Sequence, residues 1–135
     1  MTAARTLTVC PFCGCGCGMY LTTEGGRVTG VEPSTHNPVN RGALCVKGWN
    51  VHEFVSSPDR LTRPLVRKQG KLVPVEWAEA VSTVAKQLLD IKSKHGPRAL
   101  AFLSSAKVTN EDNYAFMKMA RAVFRTNNID HCARL

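Results

Sequence analysis

Cys10-Pro11-Phe12-Cys13-Gly14-Cys15-Gly16-Cys17-Gly18 places four of the six cysteines of this 135-residue chain within eight positions. Cys45 and Cys132 stand apart. Crowding of this kind argues for metal rather than disulfides in a cytosolic chain, and thiols so close in sequence have few unstrained disulfide geometries. Cys10, Cys13 and Cys17 give a C-x2-C-x3-C spacing, and Cys45 follows after 27 intervening residues. Three thiolates on one tight loop can take three corners of an iron–sulfur cubane, and a fourth from a distant loop closes the cage. Gly14, Gly16 and Gly18 let the backbone fold around the sulfurs and turn N–H groups toward them, and Pro11 stiffens the start of the loop.

A tetrahedral zinc site is the alternative. Zinc sites usually pair two C-x2-C knuckles, whereas the pattern in this chain is three plus one, which favours iron–sulfur. Cys15 is the surplus thiol. It could replace a neighbour as ligand, but its spacing is worse on both sides, so it is read as a bystander beside the ligands.

Outward from this loop, Met19–Thr23 and Arg27–Glu32 flank Glu24-Gly25-Gly26, a Gly-Gly turn between β-prone runs that predicts an antiparallel hairpin. Pro33–Arg41 is rich in turn formers (Ser34, Asn37, Pro38, Asn40) and reads as a loop. Trp49–Val55 reads as a short helix ended by Ser56-Ser57-Pro58. Leu72–Val75 is a strand candidate. From Glu76 to His95 the residues Trp77, Ala80, Val81, Val84, Leu88 and Ile91 recur at helical spacing, and Gly96-Pro97 stops the helix. Ala99–Leu103 has the length of a strand, and Ser104–Thr109 reads as a loop. A second helix begins near Asn110, capped by Thr109 or Asn110, with Tyr114, Met117, Ala120 and Phe124 as its core face. Ile129–Cys132 heads toward another strand or loop. Helix, strand, helix in this order implies a parallel sheet with strands still to come. The expected fold class is α/β (α+β): a small cysteine-rich subdomain with a short antiparallel hairpin over residues 3–60, then the beginning of an α/β domain over 61–135.

With 44% hydrophobic and 21% charged residues, the chain is neither a disordered tail nor a fibrous repeat. No apolar run nears the roughly 20 residues of a membrane span. Met1–Thr8 resembles neither a secretory nor a twin-arginine leader, so a cytoplasmic location without membrane insertion is expected. The net charge is +8 and unevenly placed: residues 1–60 hold five basic and four acidic groups, residues 61–135 thirteen and six. A basic surface suits an anionic partner. A basic zinc module with four cysteine ligands, bound to nucleic acid, would use it, but aromatics are few (7%) and not interleaved with the basic residues, and the basic excess lies away from the cysteines. No nucleic-acid partner is therefore expected. A non-catalytic assembly or scaffold protein is the remaining alternative class.

Cys10-Pro11-Phe12-Cys13 with Gly16-Cys17-Gly18, followed by Gly42-Ala43-Leu44-Cys45-Val46-Lys47-Gly48, resembles the start of the catalytic subunit of molybdenum- or tungsten-dependent formate dehydrogenases. Pro74-Val75-Glu76-Trp77, Lys94-His95-Gly96-Pro97, the run from Ser104 to Tyr114, Ala120-Arg121-Ala122-Val123, Thr126-Asn127-Asn128 and His131-Cys132-Ala133-Arg134 fall in the same order. The first cysteine motif is shared with wider relatives such as nitrate reductases, while the Thr-Asn-Asn and His-Cys-Ala-Arg blocks are narrower. The resemblance implies a [4Fe-4S] cluster on Cys10, Cys13, Cys17 and Cys45, and a molybdopterin oxidoreductase domain after it. It implies that Lys47 lies between the cluster and a pterin of a bis-molybdopterin guanine dinucleotide cofactor carrying molybdenum or tungsten, as an electron relay. It also implies that the loop holding Ser105, Lys107 and Asn110 lines that cofactor. Relatives often carry arginine where this chain has Lys107, and lysine cannot make the same bidentate contact.

The implied activity is oxidation of formate to carbon dioxide or its reverse, with the remainder of the catalytic subunit and electron-transfer subunits as partners. A nitrate reductase or another bis-pterin oxidoreductase is the alternative within the class. In the family, the residue directly after Cys-Ala-Arg-(Val/Leu) is a metal-ligating cysteine or selenocysteine, and this sequence stops at Leu135, one position short. The expectation is an in-frame UGA codon there, with a true short protein or a gene break as the alternative, and no activity from the 135 residues alone.

Overall fold

The computed structural model describes residues 4–132. The Ala133-Arg134 half of the His131-Cys132-Ala133-Arg134 block, the chain end at Leu135 and the residues before Ala4 lie outside the described residues. Two compact units emerge: one takes the chain up to Arg60 together with Ser105–Tyr114 and Cys132, the other takes Leu61–Ser104 and Ala115–His131.

The first unit is built on an antiparallel sheet, β1 (Ala4–Val9), β2 (Gly18–Glu24) and β3 (Arg27–Pro33), in that spatial order. The β2–β3 turn falls where the two glycines predict it. Gly25 and Gly26 sit at φ 58° and 79°, which a two-residue turn matching the strand twist requires. Leu21 pairs with Val31, and a bulge between Thr22 and Thr23 shifts the register beyond them. The strand β1 goes beyond the sequence reading, although Thr6 and Thr8 alternate with Leu7 and Val9 as a strand does. The expected helix over Trp49–Val55 is two short ones, α1 (Val46–Trp49) and α2 (Val51–Val55). Asn50 separates them, and its Nδ2 donates to the Val46 carbonyl at 2.7 Å. Cys10, Met19, Val31 and Val51 form the core, with Phe12, Cys17, Leu21 and Leu44 packed against it.

In the second unit β4 (Leu65–Lys68) and β5 (Lys71–Pro74) form a hairpin. Sequence alone points only to its second strand. The turn at Gln69-Gly70 has positive φ at both positions. The long helix α3 (Trp77–His95) ends as the sequence indicates, with Gly96 at φ 80° and its N–H donating to the Lys92 carbonyl. Pro97–Ala99 is a 3-10 turn, so the strand expected at Ala99–Leu103 starts later, as β6 (Phe102–Ser105). β6 pairs with β7 (Ile129–Cys132). Asn128 secures that pairing: its carbonyl accepts from the Phe102 N–H at 2.8 Å, and its Nδ2 donates to the Arg98 and Leu100 carbonyls.

The helix α4 (Asn110–Lys118) continues into a π-helical turn, Met119–Val123. The Phe124 N–H reaches the Met119 carbonyl, five residues back. The wider turn shifts the side chains out of the 3.6-residue period. The buried cluster is therefore Leu100, Phe102, Ala120 and Phe124, with Leu88, Phe116, Met119 and Ile129 against it. Tyr114 and Met117, expected in the core, stay outside it, Tyr114 60% exposed. The α3 helix that the spacing predicts is present with its apolar residues on one face, and that face is open: none of its nineteen residues is buried. Trp77, Val81 and Val84 are 69%, 61% and 55% exposed and line an open apolar groove of about 310 Å3 with Leu88, Met119 and Phe124. Among the described residues no helix is long and apolar enough to cross a membrane.

These burials separate two substitutions of apolar side chains. Phe124 is 4% exposed and stacks near Phe102 at 5.3 Å between centroids, so Phe124→Ala should destabilise the chain by about 3 kcal/mol. Val81→Ala, on the open face of α3, should change stability by less than about 0.5 kcal/mol. Urea unfolding of the two variants side by side checks the contrast.

Candidate functional site

The cysteine loop is the connection between β1 and β2. Val9 pairs with Gly18 at the end of the sheet, and the Cys10 N–H donates to the Cys17 carbonyl at 2.9 Å, which closes the loop. Gly16 takes φ 78° inside it, a conformation that favours glycine.

Gly18 is held from both sides by one amide. Its N–H donates to Asn40 Oδ1 at 2.9 Å, and Asn40 Nδ2 donates to the Gly18 carbonyl at 3.1 Å. The same Nδ2 donates to the Ala43 carbonyl at 2.8 Å, two residues before Cys45. A Cβ on Gly18 would come within 2.4 Å of Asn37 Nδ2, so this packing needs glycine. Asn37 Oδ1 accepts from the N–H groups of Val39 and Asn40. Gly42 at φ 87° returns its N–H to the Ser34 carbonyl. Turn by turn, the segment 34–43 brings Cys45 to the start of α1. Local sequence shows only turn formers in this segment. It does not reveal the Gly18 partner of the Asn40 side chain, because that residue belongs to a strand 22 residues earlier.

The result is a cavity of about 390 Å3 lined by Cys10, Cys13, Cys17, Cys45, Lys47 and Lys107, with Phe12 and Leu44 among its apolar walls. Phe12 is braced edge-on by Phe54 at 5.7 Å. The volume is many times the roughly 30 Å3 share of one water molecule. Among the described residues no three His, Cys, Asp or Glu side chains form a group that could hold a metal ion. Four thiols lining one cavity of this volume leave room for a multi-atom cluster. Ser105 and Asn110, the other expected site residues, are not in its lining. Ser105 Oγ accepts the Lys107 N–H at 3.0 Å, and Asn110 Nδ2 donates to the Gly14 carbonyl at 2.8 Å. Cys15 is exposed.

The thiols differ electrostatically. Burial pushes the Cys17 thiol up, and the neighbouring Cys15, Cys10 and Cys13 add to the shift. Cys45 is pulled down by the backbone N–H groups of Gly48 and Lys47, with the Lys47 ammonium helping. The more remote Cys132 is also pulled down, by the Ala106 N–H first, then the Ser105 hydroxyl and Lys107. A lowered thiol forms its reactive thiolate at lower pH. In the iron-free chain the alkylation rate of Cys45 should therefore rise and level off at lower pH than that of Cys17. Residue-resolved mass spectrometry across a pH series reads both inflections, and a lower inflection for Cys17 contradicts the assignment.

Residues 3–57 match the family model of the molybdopterin oxidoreductase Fe4S4 domain, and residues 60–135 match that of molybdopterin oxidoreductase. Among curated relatives, the F420-dependent formate dehydrogenase 1 subunit alpha of Methanococcus maripaludis is 48% identical over 128 residues, 95% of this chain and 18% of the relative. The F420-dependent formate dehydrogenase subunit alpha of Methanocaldococcus jannaschii is 47% identical with the same coverage of both chains. The F420-dependent formate dehydrogenase 2 subunit alpha of Methanococcus maripaludis is 45% identical, again over 95% of this chain and 18% of its own length. The chain thus spans less than a fifth of the length of these relatives. A cysteine loop closed on a sheet, an Fe4S4-domain match over that loop and a second match over the rest make one assignment: the chain belongs to the molybdopterin oxidoreductases and carries their Fe4S4 domain.

Proposed function

We propose that this chain forms the cluster-binding end of a formate dehydrogenase catalytic subunit, with a [4Fe-4S] cluster held by Cys10, Cys13, Cys17 and Cys45. The observation that carries the ligand set is the cavity that these four thiols share with Lys47 and Lys107. The names of the matched relatives supply the substrate, formate, and favour it over the nitrate of other family members. The Fe4S4-domain match sets aside the zinc-module alternative. The break between the two family matches, at residues 57 and 60, supports a domain division at residue 60.

When bound, the metal–pterin supplies two-electron oxidation of formate and the cluster carries electrons onward singly. The residues of this chain hold and tune these groups. The Lys47 and Gly48 N–H groups stabilise the Cys45 thiolate, and the turns around Gly16 and Gly18 hold the loop thiols. Lys47 adds a cation on the wall of the cavity, where it offsets negative charge and holds the anionic pterin cofactor close. Lys107 adds a second cation on the same wall. Ser105 acts through the Lys107 backbone N–H, fixing the loop that presents that lysine. Electron-transfer subunits would receive the electrons.

The purified anaerobic protein should be brown and hold about four irons per chain. Serine at position 10, 13, 17 or 45 should lose or weaken the cluster, and Cys15→Ser should retain it. Iron kept in Cys45→Ser but lost in Cys15→Ser would overturn the ligand set. In a catalytic subunit carrying this segment, Lys47→Gln should keep its iron yet reduce an external dye roughly tenfold more slowly, as loss of a charged contact implies. The change should fall on turnover more than on formate affinity. Full activity, or a defect traced wholly to cluster loss, removes the relay role.

A further inference from the structure

The first residue of α4 points its amide away from its own helix. Capping is done by Thr109: its Oγ1 accepts the Asp112 N–H at 3.2 Å, and Asp112 Oδ2 accepts from the Thr109 N–H and hydroxyl at 3.3 and 2.9 Å. This reciprocal pair is a capping box with aspartate in the acidic place. It leaves the Asn110 amide without a capping duty. That amide reaches across 96 residues of sequence and donates to the Gly14 carbonyl at 2.8 Å. Gly14 lies between Cys13 and Cys15, at the middle of the cysteine loop. A Cβ at position 14 would stand 2.4 Å from Asn110 Oδ1 and 3.2 Å from Asn110 Cγ. The close approach is therefore specific to this pair: an amide on one side and a missing side chain on the other.

We propose that Asn110 is a positioning residue for the cluster loop, fixing the Gly14 peptide between two thiol-bearing residues and tying it to the segment that presents Lys107. The resemblance alone would put Asn110 against the pterin. The structure gives it a different partner, the backbone of the loop that carries Cys13 and Cys17. The Ser105–Thr109 segment is itself held by the Ser105–Lys107 bond and ends in the Thr109 cap. Asn110 follows this rigid piece directly, so a shift of the loop at Gly14 is resisted by a helix start rather than by a floppy chain. Ser105–Tyr114 and the cysteine loop belong to the same compact unit. The inference rests on the reading of Cys13 and Cys17 as cluster ligands.

The bond is solvent-exposed, so its effect sits at the low end for a hydrogen bond, roughly two- to fivefold in a rate or equilibrium. In the anaerobically purified chain, Asn110→Ala and the isosteric Asn110→Asp, which removes the donor, should release iron to a chelator two- to fivefold faster. The thermal melt of the iron-free chain should stay unchanged. Gly14→Ala should give the same acceleration by displacing the amide. The double variant Gly14→Ala/Asn110→Ala should be no worse than either single one, because the bond and the clash are both already gone. Additive losses, or wild-type iron retention in Asn110→Asp, would overturn the proposal. A drop in the apo melt equal to the change in iron release would also overturn it, by showing a purely structural helix start. If the wild-type chain holds no iron, the cluster reading fails on its own. The inference is then read in the iron-free chain: Asn110→Ala should speed alkylation of Cys13 and Cys15 while leaving Cys45 unchanged, and no change at Cys13 and Cys15 sinks it.

Discussion

One side-chain amide sets the separation of the two cysteine-bearing segments. Asn40 binds both polar groups of the Gly18 backbone and the carbonyl of Ala43. Gly18 follows the last cysteine of the loop, and Ala43 precedes Cys45 by two residues. The reach of Asn40 therefore fixes how far Cys45 stands from Cys17. Asparagine suits this role because one group offers both an acceptor and two donors. Each bond is worth only about 0.5–1.5 kcal/mol net, but the three share one rigid plane, so the geometry is held more firmly than any single bond would hold it. The glycine at 18 is the other half of the device, since any side chain there would occupy the place of Asn37.

That geometry concentrates charge. Cys10, Cys13 and Cys15 each raise the thiol of Cys17 beyond what burial does. A bound metal cluster would reverse the sign of the problem: cationic iron would make the thiolates mutually tolerable and favour loss of their protons, which would couple cluster binding to deprotonation and loop order. Cys45 differs because its thiolate is already supported by two backbone N–H groups and the Lys47 ammonium. On the proposed ligand set, the thiol supplied from a distance is the one best prepared to bind, and Cys17 on the crowded loop depends more on the metal.

What the sequence makes legible is whatever depends on neighbours in the chain. Gly25-Gly26 dictates its own turn, the C-x2-C-x3-C spacing places three thiols on one loop, and Gly96 ends α3. The errors arise where a distant or irregular partner decides. The π-helical turn at Met119–Val123 moves Tyr114 and Met117 out of the expected core, and a period-3.6 reading has no means of anticipating an i→i−5 bond. Asn50 divides what looks like one helix, because its side chain competes for a carbonyl within it. Asn40 and Asn110 read as a turn former and a helix start, which is what they are locally. Their contacts with Gly18 and Gly14 lie 22 and 96 residues away and leave no trace in local composition. The strand β1 is different: its alternation is present in the sequence but outweighed by its short, polar character.

The site and the sequence domains are divided along different lines. The family matches break between residues 57 and 60, yet the cavity takes Ala106 and Lys107 from beyond that break, and the loop takes its brace from Asn110. The Ser105–Tyr114 segment packs with the first unit, whereas the residues on either side of it count with the second. The first unit closes a core around Met19, which is 1% exposed, while α3 in the second unit buries none of its residues. Among the described residues the pairs Arg63–Glu76 and Lys68–Glu79 of the basic half are solvent-exposed, and exposed pairs contribute about 1 kcal/mol at most. Order at the cluster loop therefore comes from hydrogen bonds within the first unit. A segment encoded late, which opens with Lys107's loop and ends in α4, is as much a part of that loop's support as the sheet from which the loop springs.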